Sequence, residues 1–305
     1  ILTFSVTTKR ATALVPKGHE VAWDQLIFPA RKQQETEVRA KPNSLHSRVS
    51  ASLITISGNQ FEIQFSSKTG KMISWKLGGE EVLLDGLMPD FWRAPVDNDL
   101  GNKMPERLGV WHHVGEELVW QSHELDEDEG QITYRVNYLL PQVNDSKYAI
   151  TYTIQEDGSM HVATAFEPIG SLPDLPKFGM KMQLISDLDH FEWFGKGPHE
   201  TYWDKQTGAK IDRYSGTVWD QYHPYVRPQE FGNKSQVRWA TLTNSNGLGL
   251  RIAGDTLLNV RVMNLLNKDI DHTPRPSPNR HTTDIKKRDL ITLNIDHLQM
   301  GVGGD

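Results

Sequence analysis

The stretch Phe91-Trp92-Arg93-Ala94-Pro95-Val96-Asp97-Asn98-Asp99-Leu100-Gly101 is the most informative part of this 305-residue sequence. Asp and Asn side chains stabilise turns by bonding nearby backbone, proline fixes φ, and glycine accepts positive φ. The stretch therefore predicts a shaped loop that leaves a buried aromatic anchor at Phe91 and Trp92. Such a loop would form the edge of a binding site or support one.

Outward from this loop, apolar and polar residues alternate with a period of two, which is typical of an all-β protein. One predicted hairpin joins a strand at 61–65 to a strand at 72–77. A second joins 148–154 to 160–166 through Asp157-Gly158, a strong hairpin signal. Further strands are predicted near residues 131–140, 178–186, 236–243, 248–253, 257–263 and 290–298. This many strands implies stacked antiparallel sheets.

The composition limits the class of protein. With 37% hydrophobic residues, 9 Trp, 8 Tyr and 10 Phe, the chain can fill a sizeable core. A net charge of −6 with mixed signs disfavours nucleic-acid binding, which needs clustered Lys and Arg. No apolar run is long enough to predict a membrane helix. The absence of cysteine excludes disulfides and thiolate chemistry but does not choose between compartments.

The first residues differ in organisation from the rest. Residues 1–29 predict a small β piece with strands near 1–8 and 21–26, and the polar residues 30–52 predict a linker. The chain begins with Ile1 rather than Met, and its first residues are no signal peptide, so we expect it to start inside a longer protein.

Four ordered motifs resemble the C-terminal domain of bacterial β-galactosidases of glycoside hydrolase family 2, the region called the small chain. They are the stretch at 91–101, WFGKGPHETY at 193–202, PYVRPQEFGN at 224–233 and MGVGGD at 300–305. The resemblance implies that residues 53–305 form an antiparallel supersandwich of the galactose-mutarotase type. It also implies that residues 1–29 are the remnant of an immunoglobulin-like β-sandwich domain.

The resemblance further implies a parent enzyme that hydrolyses terminal β-D-galactosyl residues with retention. Retaining hydrolysis uses two carboxylates about 5–5.5 Å apart. In the family both lie in a catalytic barrel that precedes this region, so no catalytic residue is expected in the present chain. The chain would complete the rim of the active site and support assembly, and the family's stacking tryptophan would lie just beyond residues 300–305.

Substrate-binding candidates come from the 91–101 loop and the residues that follow it. In the family the segment that follows the D-N-D-x-G pattern swings toward the sugar, which here implies residues 101–104 with a hinge at Gly101; a plain turn glycine is an equally good interpretation. Asp97 and Asp99 also fit a structural role as caps of backbone N–H groups. The full set of candidates is Arg93, Asp97, Asn98, Asp99, Gly101 and Asn102.

Outside this set, Glu200 and Glu230 each fit either sugar binding or the orientation of neighbouring loops. No metal site or cofactor is predicted in this chain. Asp97-Asn98-Asp99 with Gly101 lacks the rest of a calcium-loop pattern, and His112 and His113 would point to opposite faces of a strand. The parent enzyme would hold magnesium or calcium mainly through its barrel.

Three functions remain open at this stage. The first is a non-catalytic domain that shares a galactoside substrate with the barrel of its parent enzyme, whose assembly into homo-oligomers is left open. The second is a free aldose mutarotase, which needs a His acid and a Glu base in one cleft. The third is a carbohydrate-binding or small-subunit chain. The resemblance places the parent in a bacterium, in the cytoplasm or the periplasm.

Overall fold

A computed structural model describes residues 1–28, 45–271, 273 and 281–303. Most of the predicted linker at 30–52 therefore lies outside the described residues, as do Gly304 and Asp305 of the last motif. No helix in the described part of the chain has the length and apolar character needed to cross a membrane.

The described strands form four antiparallel sheets. The first two are a hairpin and a five-stranded sheet in chain order, made of β1 (Leu2–Thr7) and β2 (Glu20–Leu26), then β3 (His46–Val49), β4 (Leu53–Ser57), β5 (Phe61–Ser66), β6 (Met72–Leu77) and β7 (Glu80–Glu81). The other two draw on β8 (Leu83–Asp90), β9 (Val119–Asp128), β10 (Gln131–Leu140), β11 (Ser146–Gln155), β12 (Met160–Glu167), β13 (Lys177–Leu184), β14 (His190–Gly197), β15 (Lys210–Thr217), β16 (Lys234–Thr243), β17 (Gly249–Met263) and β18 (Ile291–Gln299).

The four-stranded sheet has the order β12-β11-β10-β9, and the seven-stranded sheet has the order β15-β14-β16-β17-β18-β13-β8. Within the described residues, three short helices interrupt the loops: α1 (Asp97–Gly101), α2 (Met104–Leu108) and α3 (Asn267–Ile270). Single 3₁₀ turns lie at Gly109–Trp111, Pro141–Val143, Trp219–Gln221 and Thr282–Asp284.

One apolar core joins the five-, four- and seven-stranded sheets. Phe65 of β5 packs against Tyr134 of β10 and Tyr152 of β11, with ring centroids 4.5 and 5.0 Å apart. The Tyr152 hydroxyl donates to the Leu87 carbonyl of β8 at 3.4 Å. The alternation read from the sequence is seen in β10, where every second residue is buried. The prediction of an all-β protein with stacked antiparallel sheets is confirmed.

Two boundaries differ from the sequence-based expectation. The strands predicted at 248–253 and 257–263 are one strand, β17, whose pairing with β16 jumps from Ala253 opposite Trp239 to Leu258 opposite Val237. A bulge absorbs the extra residues, so the local break in alternation does not end the strand. In addition, β3 lies inside the predicted linker but pairs with β4, so the sheet begins at His46.

The N-terminal hairpin contacts the edge of the seven-stranded sheet. The Gln25 side chain of β2 accepts a hydrogen bond from the Ile211 backbone N–H at 2.8 Å and donates to the Ile211 carbonyl at 2.9 Å. Glu20 pairs with Lys210 at 2.6 Å. Edge strands expose unpaired backbone groups, and these contacts occupy two of them on β15. The origin of the hairpin as part of an immunoglobulin-like domain stays a prediction.

The seven-stranded sheet has two buried faces, one apolar and one that combines polar side chains with a small apolar cluster around Met263 and Phe231. Residues such as Val260, Val262 and Leu293 point into the shared core and are fully buried. Their alternating neighbours Arg261 and Asn294 point to the other face and are equally buried. Loops that cover this second face carry the motifs found in the sequence.

Candidate functional site

The stretch 91–101 is half loop and half helix. Phe91 and Trp92 are buried, as predicted, but α1 begins at Asp97 instead of the chain continuing as a loop. The reason is local: the Asp99 carboxylate accepts the Val96 backbone N–H at 2.7 Å, which satisfies a donor at the start of the helix. Asp99 therefore has the structural role considered for it above, that of a cap for a backbone N–H group.

Arg93 and Asp99 form a buried ion pair with no solvent exposure of either side chain. Two nitrogens of the guanidinium contact the two carboxylate oxygens at 2.5 and 3.1 Å. One of the same nitrogens also donates to the Gly301 carbonyl at 2.6 Å. Neither side chain faces solvent, so both fix the position of α1 and of the chain near Gly301.

The remaining substrate-binding candidates lie at the surface of α1 and its end. Asp97 pairs with Arg227 at 3.1 Å, and the Asn98 amide donates to the Val302 carbonyl at 2.8 Å. The carbonyl of Asn102 accepts from Arg107 at 3.0 Å. Gly101 lies within α1 with open space around it.

The sharp bend between the two helices is not at the predicted glycine. Lys103, which joins α1 to α2, adopts the left-handed conformation with φ of 60°. Non-glycine residues rarely adopt this conformation, so the backbone strain of the turn lies at Lys103. Gly101 has no positive φ, so its conformation in this structure does not require glycine, and a hinge there stays a prediction.

The four sequence motifs meet in one place, which we call the loop layer: residues 91–108, 198–206, 222–233 and 300–303. The first motif touches the third through Asp97 and Arg227, and the fourth through Arg93 and Gly301. The Asp204 carboxylate accepts the backbone N–H groups of Val302 and Gly303 at 2.9 and 2.6 Å. Segments far apart in the chain are thereby held together by polar contacts.

The second and third motifs are joined by Glu200. Its carboxylate accepts the Tyr225 hydroxyl, the Gly232 backbone N–H at 2.9 Å and the Lys205 ammonium at 2.9 Å. Burial raises the pKa of Glu200, but these hydrogen bonds outweigh burial and hold the pKa below its usual value. Glu200 stays charged at neutral pH with its acceptor sites occupied, in agreement with a role in orienting loops.

Glu230 begins a buried polar network beneath the loop layer. It pairs with Arg261 of β17, which also donates to Asn294 of β18 at 2.9 Å and to Asn267 at 2.7 Å. The Asn294 amide donates to Asp90 of β8 at 2.8 Å. The network thus ties three strands of the sheet to the loops above them.

The network continues to Lys177 of β13, which lies 2.7 Å from Asp90 and 3.3 Å from Asp296. Desolvation raises the pKa of Asp296 to about 7, against the attraction of Lys177 and with the repulsion of Asp90. Desolvation also acts to raise the pKa of Asp90, but the attraction of Lys177 and Lys181 outweighs it and brings this pKa below the usual value. The one buried ammonium of Lys177 is shared by two carboxylates, and Asp90 stays ionised more readily than Asp296.

A second buried lysine lies at the base of the third motif. Lys234 donates to the Pro198 carbonyl at 3.2 Å, and its ammonium sits 4.8 Å from the centre of the Trp193 ring. Desolvation lowers the pKa of Lys234 to about 8, with Glu200 opposing the shift.

His112 and His113 do not lie on a strand, contrary to the expectation that their rings would point apart. They follow a 3₁₀ turn, and their rings stack with centroids 4.1 Å apart. His112 lies 3.0 Å from Asp271, which also accepts the Trp92 indole N–H at 2.8 Å. No group of three or more His, Asp or Glu side chains is arranged to hold a metal ion among residues 1–28, 45–271, 273 and 281–303.

Sequence reasoning missed the residues beneath the loop layer. Arg261, Asn294 and Lys177 alternate with apolar residues along their strands, and such alternation ordinarily indicates a solvent-facing side. The four motifs themselves were the signal that loops cover this face.

Known proteins share the sequence over most of this length. A family model described as the β-galactosidase small chain matches residues 57–305. A β-galactosidase of Priestia megaterium is 34% identical over 305 residues, which is 100% of this chain and 29% of that enzyme. A β-galactosidase of Halalkalibacterium halodurans is 29% identical over 98% of this chain and 29% of that enzyme. One of Streptococcus thermophilus is 28% identical over 97% of this chain and 28% of that enzyme. The chain spans less than a third of the length of these relatives.

Proposed function

Because the chain belongs to the β-galactosidase small chain family, we propose that it is the non-catalytic C-terminal region of a β-galactosidase. In this role it completes the rim of an active site whose two catalytic carboxylates lie in another part of the parent enzyme. The parent hydrolyses terminal β-D-galactosyl residues with retention of configuration, through a covalent glycosyl intermediate.

The convergence of the four motifs in the loop layer carries this proposal. Four carboxylates of the loop layer join different segments of the chain: Asp97, Glu200, Asp204 and Glu230. A fifth, Asp99, is paired with buried Arg93. A carboxylate with its lone pairs occupied and a charged partner is poorly suited to act as a nucleophile or as a proton donor at neutral pH. The arrangement suits a scaffold that presents a precise surface to a catalytic partner.

Within that surface, the exposed part of α1 is the segment that would face the substrate. Asp97 and Asn98 lie at its solvent side and are held by Arg227 and the Val302 carbonyl. Carboxylate, amide and guanidinium groups in fixed positions bind sugar hydroxyls by directed hydrogen bonds. We assign substrate contacts to these exposed groups, and the fixing of α1 to Arg93 and Asp99.

The catalytic barrel is the proposed partner of the loop layer, and further copies of the parent are a second proposed partner. Trp203 and Val226, with 65% and 90% of their surface exposed, offer apolar contact on this side of the molecule. Exposed apolar side chains rimmed by polar groups are common at protein interfaces. The parent's magnesium or calcium is proposed to bind through the barrel.

A chimera tests the proposal. The 305-residue chain replaces the region it matches in the Priestia megaterium enzyme, and hydrolysis of a chromogenic β-galactoside is measured for the chimera, for that enzyme lacking the region, and for this chain alone. We expect activity from the chimera only. Arg227→Ala in the chimera should raise KM, and Arg213→Ala, which removes an exposed arginine from β15, is its matched control.

Hydrolysis by this chain alone would contradict the non-catalytic role. A chimera that is folded and oligomeric like the relative, yet inactive, would contradict the role in completing the active site.

A further inference from the structure

Strand β12 forms one edge of the four-stranded sheet, and in the described part of the chain it pairs with β11 on one side only. The turn between these two strands fixes which backbone groups point outward. Gln155 donates its N–H to the Ser159 carbonyl at 2.9 Å, so these residues form a hydrogen-bonded pair. Hydrogen-bonded and non-hydrogen-bonded pairs alternate along an antiparallel ladder, and residues of the second kind point their N–H and C=O groups away from the partner. The residues of β12 with outward-pointing groups are therefore Met160, Val162, Thr164 and Phe166.

Other sheet edges of this chain are protected, but that of β12 is not. Strand β9, at the opposite edge of the same sheet, carries four exposed acidic residues within positions 124–128. The edge of β15 is covered by the N-terminal hairpin through Gln25. Charged side chains and covering segments both prevent an edge from adding a further strand. The stretch 162–166 of β12 has no charge and no proline, and its register with β11 is unbroken.

An apolar groove of about 360 Å³, which we call the β12 groove, lies beside this edge. Val162 and Thr164 line it from β12, and strands β13, β17 and β18 contribute most of the other lining residues. Because side chains alternate along a strand, a strand added to β12 would direct every second side chain into the groove. The apolar residues that such side chains would meet include Met180, Leu250, Leu258 and Ile295.

The occupant must supply both backbone groups and free apolar side chains. A second copy of this chain could offer its own β12 edge, but the inward side chains of that strand are already packed. The Phe166 ring, for example, lies 5.9 Å from that of Phe91 and 6.4 Å from that of Phe178, measured between centroids. A second copy would therefore satisfy the backbone without filling the groove. A strand from another part of the parent enzyme meets both needs, and the chain covers only 29% of the Priestia megaterium relative.

We propose that the β12 groove receives a β-strand from a part of the parent enzyme that lies outside residues 1–305. The strand extends the four-stranded sheet by pairing with β12 along 162–166. It carries an apolar side chain at every second position, directed into the groove, as in other cases of strand addition to a sheet edge. The inference rests on the proposed function, which supplies the source of the strand.

Hydrogen exchange of single backbone amides tests the proposal, in the chain alone and in the Priestia megaterium chimera. In the chain alone, the amides of Val162, Thr164 and Phe166 should exchange at least about 100-fold faster than those of Ala163 and Ala165, which bond to β11. In the chimera the three outward amides should slow by about 100-fold or more, because they donate to the added strand. The two alanine amides are internal controls and should be protected in both proteins.

Val162→Lys and Ala163→Lys form a matched pair of variants on the same strand. Val162 lines the β12 groove, whereas Ala163 is exposed on the opposite face. In the chimera Val162→Lys should abolish the added protection of Thr164 and Phe166, because the added strand would bury an unpaired charge. Ala163→Lys should leave that protection unchanged. Circular dichroism checks that both variants are folded.

Protection of the outward amides in the chain alone would overturn the proposal, because their partner would then lie within the chain or, if sedimentation shows a dimer, in a second copy. Outward amides that exchange as fast in the chimera as in the chain alone would overturn it as well. A chimera that hydrolyses galactosides without this protection rejects the docked strand and leaves the proposed function standing. A folded chimera with protected amides but no activity supports the docked strand and contradicts the role in completing the active site.

Discussion

The two faces of the seven-stranded sheet are both buried, but apolar packing stabilises one face and specific polar contacts are prominent on the other. On the core face Val260, Val262 and Leu293 are fully buried among apolar neighbours. On the opposite face Arg261 and Asn294 are just as inaccessible, yet each depends on specific partners. The same strands supply both faces, because successive side chains point in opposite directions.

Apolar burial is proportional to area and is not directional. The core face therefore tolerates exchange of one apolar shape for another at modest cost. Buried charges need partners at defined positions, since removing one partner leaves an uncompensated charge. The polar face consequently fixes where the loops lie, and the loops carry the surface to which we assign the function.

Removal of one buried charge should give the largest effect. Arg93→Met leaves Asp99 buried without its cation, and the free energy of unfolding should fall by about 3–5 kcal/mol. Urea denaturation at pH 7 measures the change. Arg213→Met is the control, because the pair of Arg213 with Glu192 is largely exposed at the arginine; that substitution should cost less than about 1 kcal/mol.

The double variant Arg93→Met with Asp99→Leu tests whether the cost of the single variant comes from the unpaired charge of Asp99. Removing both charges should recover part of the stability lost in the single variant, since no charge is left unpaired while the Val96 backbone N–H loses its acceptor. Equal stability of the single and double variants would show that the pair acts through packing instead of charge.

A cavity on the core face should have a slightly smaller effect that stays local. Leu293→Ala should reduce the free energy of unfolding by about 3 kcal/mol, from lost burial and the space left behind. The Priestia megaterium chimera carrying it should keep the KM of the unmodified chimera, since the loop layer rests on the other face. A large rise in KM with retained folding would mean that the two faces are coupled.

The acid Asp296 should make stability depend on pH. Its pKa in the folded chain is raised to about 7, so between about pH 4 and pH 7 the folded state binds more protons than the unfolded state. Stability from this group is complete below its unfolded pKa and is lost as the pH rises through 7. Relative to the original chain, Asp296→Asn should therefore gain about 2 kcal/mol from pH 5 to pH 7. A constant difference across this range in denaturant titrations would contradict the shifted pKa.

The smallest effect is expected at Lys234. Its folded pKa is lowered to about 8, so the unfolded state binds more protons between about pH 8 and pH 10.5, and stability rises with pH across that window. Below pH 8 the penalty of the buried charge is fully present. Lys234→Met should raise stability at pH 7 by about 1 kcal/mol, after the loss of the contact with Trp193 and the hydrogen bond to Pro198.

Thermal unfolding at pH 7 and pH 10 measures this change. The advantage of the variant should shrink at pH 10, and an advantage that is equal at both values would assign the effect to packing. Lys76→Met, which removes a half-exposed lysine of β6, is the control for loss of a lysine side chain and should change stability at pH 7 by less than about 1 kcal/mol.

The sequence by itself determined the all-β class, most of the strands and the family. Strand alternation and the turn at Gly158 depend on neighbouring residues, so they can be read locally; this glycine adopts positive φ at the predicted hairpin. The motifs that carried the resemblance are contiguous strings, and the family match over residues 57–305 confirms it.

Only the tertiary structure decided which residues work together. Asp97 and Asp99 are two positions apart, yet one pairs with Arg227 at the surface and the other with buried Arg93. Alternation marks Arg261 and Asn294 as polar, but it cannot say whether water or a loop meets them. That outcome depends on segments distant in the chain, because a buried charge is stable only where the rest of the fold brings its partner.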